Sequence, residues 1–267
     1  MNNEKFSGVD DTLFIPLAAR VLGSTRFPQY FHDRKSLELQ NLSQVTAVND
    51  QSSEYTMLAS VARYKEMDKI VAEFLDESKD SAVVNLGVGL ETMNYRLSET
   101  KGTFYQLDFP NVIDSRRELL GKADNEVYLP YNIMDFEWTN NLPKDKPILL
   151  VASGVFQYFQ PIEVSQFISA MKETFANAEL LFDATNEEGI MYAQKYVQKT
   201  GNTSAMMYFY VNDGSEFCKQ ENITLIKEQP FFTQARKQLK KLKIYTRIAM
   251  RVVDNKKRAV IFHAKIK

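Results

Sequence analysis

The hydrophobic pattern divides the chain near residue 80. Across residues 11 to 77 the apolar positions Met57, Leu58, Val61, Ala62, Ile70, Val71, Phe74 and Leu75 recur three and four apart, the spacing of one helix face. From Ser81 the period changes. A short apolar run, SAVVNLG, ends in glycine, as expected of a strand buried on both faces of a parallel sheet. Strand-like and helix-like segments then alternate: TFYQLD, a helix opened by Pro110, EVYLP, PILLVAS, a helix from Pro161 to Phe175, and AELLFDA. GIMYAQKYVQ reads as a further helix, and IYTRIAMRVV and RAVIFHAKIK as two strands about the polar turn DNKK. The expected fold is α/β, a Rossmann-like, mostly parallel sheet closed by an antiparallel hairpin and carrying an N-terminal helical cap. The expected division is a cap over 1–77 and a core over 78–267, with 186–235 adding to a lid and the whole forming one compact unit.

Composition narrows the function. The 33 basic and 34 acidic side chains nearly cancel, so no global field draws the chain to nucleic acid or an anionic membrane. The lone Cys218 excludes a multi-cysteine metal site, and His32 and His263 are too far apart for a helical ligand pair. The terminus MNNEKFSGVD is polar and no apolar run reaches the ~18 residues of a membrane span, so a cytoplasmic protein without a membrane partner is expected.

The chemistry concentrates in Val83-Val84-Asn85-Leu86-Gly87-Val88-Gly89, a strand leading into a Gly-x-Gly turn before a helix. Without Cβ atoms, Gly87 and Gly89 let the backbone turn sharply and let a ligand approach the helix N-terminus; an ordinary tight turn has the same spelling. Asp108 closes the next strand at the spacing of an acid that accepts ribose hydroxyls, and it is equally placed to cap the helix after Pro110. Thr92 stands where a dinucleotide motif has its third glycine, which favours a ligand without a pyrophosphate.

From about Arg63 to Asp183 the chain resembles the leucine carboxyl methyltransferase family, which includes small-molecule O-methyltransferases of polyketide pathways. The resemblance rests on VVNLGVGLETMNYRL and FYQLDFPNVIDSRRELL, supported by ARYKEMD upstream and ILLVASGVFQYF downstream. It implies a fold that binds S-adenosylmethionine (SAM) and releases S-adenosylhomocysteine (SAH). Arg63 would pair with the methionine carboxylate, Gly87 and Gly89 would form the floor, and Asp108 would hold the ribose. Asn132 and Ile133 match the family's acidic-apolar pair beside adenine, with Asn replacing Asp and Asp135 a nearby substitute. Ser153 stands where the family has glutamate. Since a hydroxyl cannot neutralise an ammonium, another acid compensates, the cofactor is held less tightly, or turnover is lost. Gln157 and Tyr158 follow on a turn expected to face the methyl group.

The acceptor expected is a small molecule with a carboxylate or hydroxyl; a protein C-terminal carboxylate stays open. Tyr192, Tyr196, Met206, Met207, Tyr208, Phe209 and Tyr210 would form its apolar wall, or plain core. No general base is assigned; His32 is a candidate, and a structural histidine is the alternative. The basic run from Gln234 to Arg251 leaves an RNA methyltransferase open, although a solvated helix face followed by an edge strand explains it as well. A NAD-linked oxidoreductase and a catalytically inert SAM-binding protein remain as alternatives.

Overall fold

The computed structural model describes residues 13–78, 80–199 and 205–266. The polar N-terminal stretch read above lies outside them. Four helices come first: α1 (Phe14–Arg26), α2 (Arg34–Leu37), α3 (Ser43–Gln51) and α4 (Glu54–Glu77). The alternating core follows as β1 (Ala82–Leu86), α5 (Met93–Arg96), β2 (Thr103–Asp108), α6 (Pro110–Leu120), β3 (Glu126–Pro130), β4 (Ile148–Ala152), α7 (Pro161–Thr174), β5 (Ala178–Thr185) and α8 (Glu187–Lys199). The chain ends through α9 (Gly214–Gln220), β6 (Thr224–Pro230), α10 (Thr233–Gln238), α11 (Ile244–Asn255) and β7 (Ala259–Lys265).

Among the described residues seven strands form one sheet in the order β3-β2-β1-β4-β5-β7-β6. The first five are parallel, and β7 runs antiparallel to both β5 and β6. β1 and β4 are buried at every residue because both sheet faces are covered. On one face, Val84, Leu86, Leu150 and Phe182 pack with Trp138 and the α7 residues Phe167 and Ile168. On the other, Val83, Phe104, Val151 and Leu181 pack with Leu58, Val61, Ala62 and Val71 of α4. The three-and-four spacing of α4 is therefore the stripe it lays directly on the sheet. α1 instead forms its own cluster with Leu90 after the glycine turn, through Phe14, Leu17 and Val21.

One expected element is corrected. IYTRIAMRVV is helix α11, not a strand, and the strand that pairs with β7 on its outer side is β6. Its β-branched and aromatic residues favour a strand locally, but helical spacing puts Thr246, Met250 and Val253 on one buried face. Tertiary burial of that face outweighs the local preference.

A buried ionic cluster ties the N-terminal helices to the sheet. Arg20 of α1 donates from Nη2 to the Leu90 carbonyl (2.6 Å) and pairs with Glu91 (3.3 Å) and Asp33 (3.2 Å). Arg96 of α5 meets Asp33 (3.1 Å), Glu91 (2.8 Å) and, through two nitrogens, Asp68 of α4 (2.7 and 2.8 Å). Burial alone would raise the Asp33 and Glu91 carboxyls, but Arg96 and then Arg20 outweigh it and hold both below the usual range. Burial wins at Asp68, whose carboxyl is pushed up in spite of Arg96.

Removing one partner leaves uncompensated buried charge, so Asp33→Asn is expected to lower stability at pH 7 by about 3 to 5 kcal/mol in urea denaturation. A depressed folded-state pKa contributes stability that is fully present above the unfolded value, about 4, and lost as pH falls through the folded one. The gap between wild type and variant is therefore expected to shrink below about pH 4; a constant gap would show that Asp33 is not held ionised by its arginines.

Candidate functional site

The chain runs outward from β1 in one direction through β2 and β3, then returns to build β4 and β5 on the other side, which opens a crevice at the carboxyl ends of β1 and β4. Ligands of open α/β sheets bind at such switch points. Register places four residues in a row there. Leu86 pairs with Leu107 and with Ala152, and Ala152 with Phe182. The next residues along these strands, Asp108, Gly87, Ser153 and Asp183, therefore stand level at neighbouring tips.

Gly87 and Gly89 turn the chain at φ values of +57° and +50°, a left-handed region costly for residues with a Cβ. The turn is gripped from three sides. Asp108 accepts from the Gly89 N–H (2.8 Å) and from the Phe109 N–H (2.8 Å). Arg20 holds the Leu90 carbonyl (2.6 Å), and fully buried Arg116 donates to the carbonyls of Gly89 (3.3 Å) and Glu91 while pairing with Glu126 (2.7 Å). Asp108 thus ties the glycine turn to the residue before α6; the α6 N-cap position is Phe109 and carries no side-chain cap, so the expected capping of that helix by Asp108 is not found.

Above the crevice lies a cavity of about 670 Å³, walled by Gly87, Gly89, Arg63, Ser153 and Asp183 on the sheet side. That is within the range of small-molecule and cofactor pockets. Arg63 reaches from α4 to Asp183 (3.1 Å) and to the Tyr64 hydroxyl (3.2 Å). Burial opposes its charge, but Asp183 more than compensates and raises its pKa. Asp183 also accepts from the Gly154 N–H (2.6 Å), so one carboxylate joins α4 to the end of β4.

Among the described residues, three polar atoms of residues that line this cavity, Arg63 Nε, Ser153 Oγ and Thr185 Oγ1, are buried without a hydrogen-bond partner. Such groups normally cost about 1 to 3 kcal/mol each, and three of them on residues of one cavity suit a polar ligand. A donor from a guanidinium, two hydroxyls and a neighbouring carboxylate suit a ligand that carries both a carboxylate and an ammonium, as the amino-acid end of SAM does.

Of the residues expected at the site, Arg63, Gly87, Gly89 and Ser153 line the cavity, and Asp108 lies just behind Gly89. Ile133 packs beside Gly87, where an added Cβ would come within 3.6 Å of it. Asn132 instead caps a short 3-10 turn by accepting from the Met134 N–H (2.9 Å). Gln157 and Tyr158 reach the wall; burial pushes the Tyr158 phenol up, so it stays protonated and can donate. Tyr192, Tyr196 and Met207 line the cavity, whereas Phe209 is core and Met206, Tyr208 and Tyr210 face outward. His32 is exposed and is not part of the wall. Tyr55, Phe232 and the α11 residues Tyr245 and Ile248 complete the wall and were not anticipated. Asp183 was missed as well, although an acid near the end of an apolar strand is the same signal that marked Asp108.

Known proteins resemble the chain in sequence and in fold. The family described as leucine carboxyl methyltransferase matches residues 8–172. The tetracenomycin polyketide synthesis O-methyltransferase TcmP of Streptomyces glaucescens is 23% identical over 202 residues, 75% of this chain and 74% of that protein. The S-adenosyl-L-methionine-dependent methyltransferase dpfgK of Gibberella zeae is 25% identical over 199 residues, 67% of this chain and 66% of that protein. A putative methyltransferase from Thermobifida fusca shares the fold with a TM-score of 0.65 at 14% identity, covering 98% of this chain and 96% of the other.

Because the Ser153 hydroxyl has no partner among the described residues, Ser153→Ala is expected to leave stability unchanged or to raise it by up to about 1 kcal/mol in thermal denaturation. A loss above about 2 kcal/mol would mean that the hydroxyl is satisfied by the fold itself and is not held ready for a ligand.

Proposed function

The chain belongs to the leucine carboxyl methyltransferase family, and from that premise we propose that this SAM-dependent methyltransferase methylates an oxygen, carboxylate or hydroxyl, of a small organic acceptor. The observation that carries the reading is the set of unsatisfied polar atoms, Arg63 Nε, Ser153 Oγ and Thr185 Oγ1, on one wall of the crevice cavity. The Streptomyces relative's being an O-methyltransferase supports oxygen as the methylated atom.

When bound, the cofactor supplies a methyl group on a positively charged sulfur, already activated for displacement. In this reading Arg63 receives the cofactor carboxylate through its free Nε. Asp183, beside Ser153, provides the negative charge that a serine lacks. Asp108, at the tip of β2 against the glycine turn, accepts the ribose hydroxyls. Ile133 packs against the base, and Asn132, turned to its own cap, keeps its amide nitrogen for the base edge.

On the opposite wall Tyr55, Tyr192, Tyr196 and Met207 give an apolar enclosure that excludes water and brings the acceptor oxygen into line with the methyl group. Glu91 and Asp183, the carboxylates on the wall, are both committed to arginines. An acceptor carboxylate needs no base, since it is ionised at neutral pH, and this chemistry suits the cavity best. Neutral Tyr158 positions such an acceptor by donating a hydrogen bond.

Asp108→Ala is expected to weaken SAH binding by about 1 to 3 kcal/mol in calorimetry, by removing an acceptor and releasing the Gly89 turn. Unchanged affinity would remove Asp108 from the site. Incubation with SAM and a panel of aromatic carboxylic acids and phenols is expected to yield methyl esters or ethers with stoichiometric SAH. Products methylated only at nitrogen or carbon would contradict the oxygen assignment.

A further inference from the structure

Helix α11 has three working faces. Thr246, Met250 and Val253 are buried, while Tyr245, Ile248, Ala249 and Val252 line the cavity. Ile244, Arg247, Ile248 and Arg251, spaced i, i+3, i+4 and i+7, face a second groove of about 520 Å³ shared with α10. Ile248 belongs to both spaces, so the groove adjoins the cavity mouth.

The groove combines two properties. Leu239, Leu242 and Ile244 make it apolar, and Lys237, Arg236, Arg247 and Arg251 make it cationic, with no acidic side chain on its lining. Arg236 is paired with Asp254 (3.1 Å), but among the described residues no carboxylate pairs with Lys237, Arg247 or Arg251. Ile244 and Ile248 are 77% and 60% exposed beside these charges. In a chain with net charge −1, a local concentration of unpaired cations around exposed isoleucines calls for a ligand that is both anionic and apolar. Nucleic acid fits less well, because half the lining offers nothing to a phosphate backbone.

We propose that this groove binds the anionic end of an amphiphilic acceptor, whose apolar body passes Ile248 into the cavity and presents its reacting oxygen at the crevice. The proposal rests on reading the cavity as the acceptor site and adds the acceptor's class: an aromatic or aliphatic body with a carboxylate, sulfonate or phosphate remote from the methylated oxygen. Arg247 and Arg251 supply charge-assisted hydrogen bonds, and α11 aligns both parts of the ligand.

Two fluorescent probes separate the contributions: 1-anilinonaphthalene-8-sulfonate and N-phenyl-1-naphthylamine, the same ring system without the sulfonate. The full-length protein is expected to bind the sulfonate at least about tenfold more tightly, with an advantage that falls with added salt. The Arg247→Glu/Arg251→Glu variant is expected to lose that advantage while binding of the neutral probe and of SAH stays within about twofold. Arg247→Gln/Arg251→Gln, which introduces no repulsion, should lose most of it too. Equal affinity for the two probes, an unchanged sulfonate affinity in both variants, or a parallel loss of the neutral probe would overturn the proposal. So would retention of single-stranded RNA at physiological salt that is abolished by the same variants. SAH binding separates the two levels: its absence in the wild type defeats the cofactor reading, whereas its presence without sulfonate selectivity defeats only the groove.

Discussion

The structure depends on how a left-handed glycine turn is held rigid at the end of a buried strand. Backbone at φ near +50° has few stabilising contacts of its own. Here its N–H is held by Asp108 and its carbonyls by Arg20 and Arg116, two arginines from different helices, α1 and α6. Their charges are balanced in turn by Asp33, Glu91 and Glu126. Buried ion pairs give little net stability, because desolvation offsets the Coulomb attraction, but they are intolerant of misplacement. The cluster therefore defines where the turn sits more than it raises stability, and a cofactor cradle requires that definition.

The same cluster couples the N-terminal helices to the chemistry. Arg20 comes from α1, Asp68 from α4 and Arg96 from α5, so all three helices meet at the residues that follow the turn. One turn further along the cavity wall, Arg63 extends the arrangement to Asp183 on β5. The crevice between β1 and β4 thus has charged groups with fixed geometry on both banks and unsatisfied polar atoms between them. Sheet topology supplies the opening, and the helices supply its walls.

The parts legible in sequence are those with short-range physical causes. Buried parallel strands read as apolar runs, the glycine turn reads as Gly87 and Gly89, and Asp108 reads as an acid at the end of the next strand. The level row Asp108, Gly87, Ser153 and Asp183 requires strand register, which no local pattern contains; Asp183 carried the same local mark as Asp108, an acid near the end of an apolar strand, but only register ties it to the glycine turn. Helix α11 was misread because Ile244, Tyr245, Thr246, Ile248 and Val252 favour a strand by composition, while what makes the segment helical is the burial of Thr246, Met250 and Val253 against distant parts of the chain. That error also hid the side of the cavity formed by Tyr245 and Ile248. Asn132 was read by its position in a family pattern; that its side-chain carbonyl oxygen also caps a 3-10 turn was not visible there.

The most direct test of the central claim is a crystal structure of the protein grown with SAH. The account predicts the nucleoside at the Gly87–Gly89 turn and the amino-acid end between β1 and β4, with Arg63 Nε, Ser153 Oγ and Thr185 Oγ1 all engaged by the ligand or by waters bound to it. A ligand bound elsewhere, or a crevice in which those three atoms stay unbonded beside bound SAH, would contradict it.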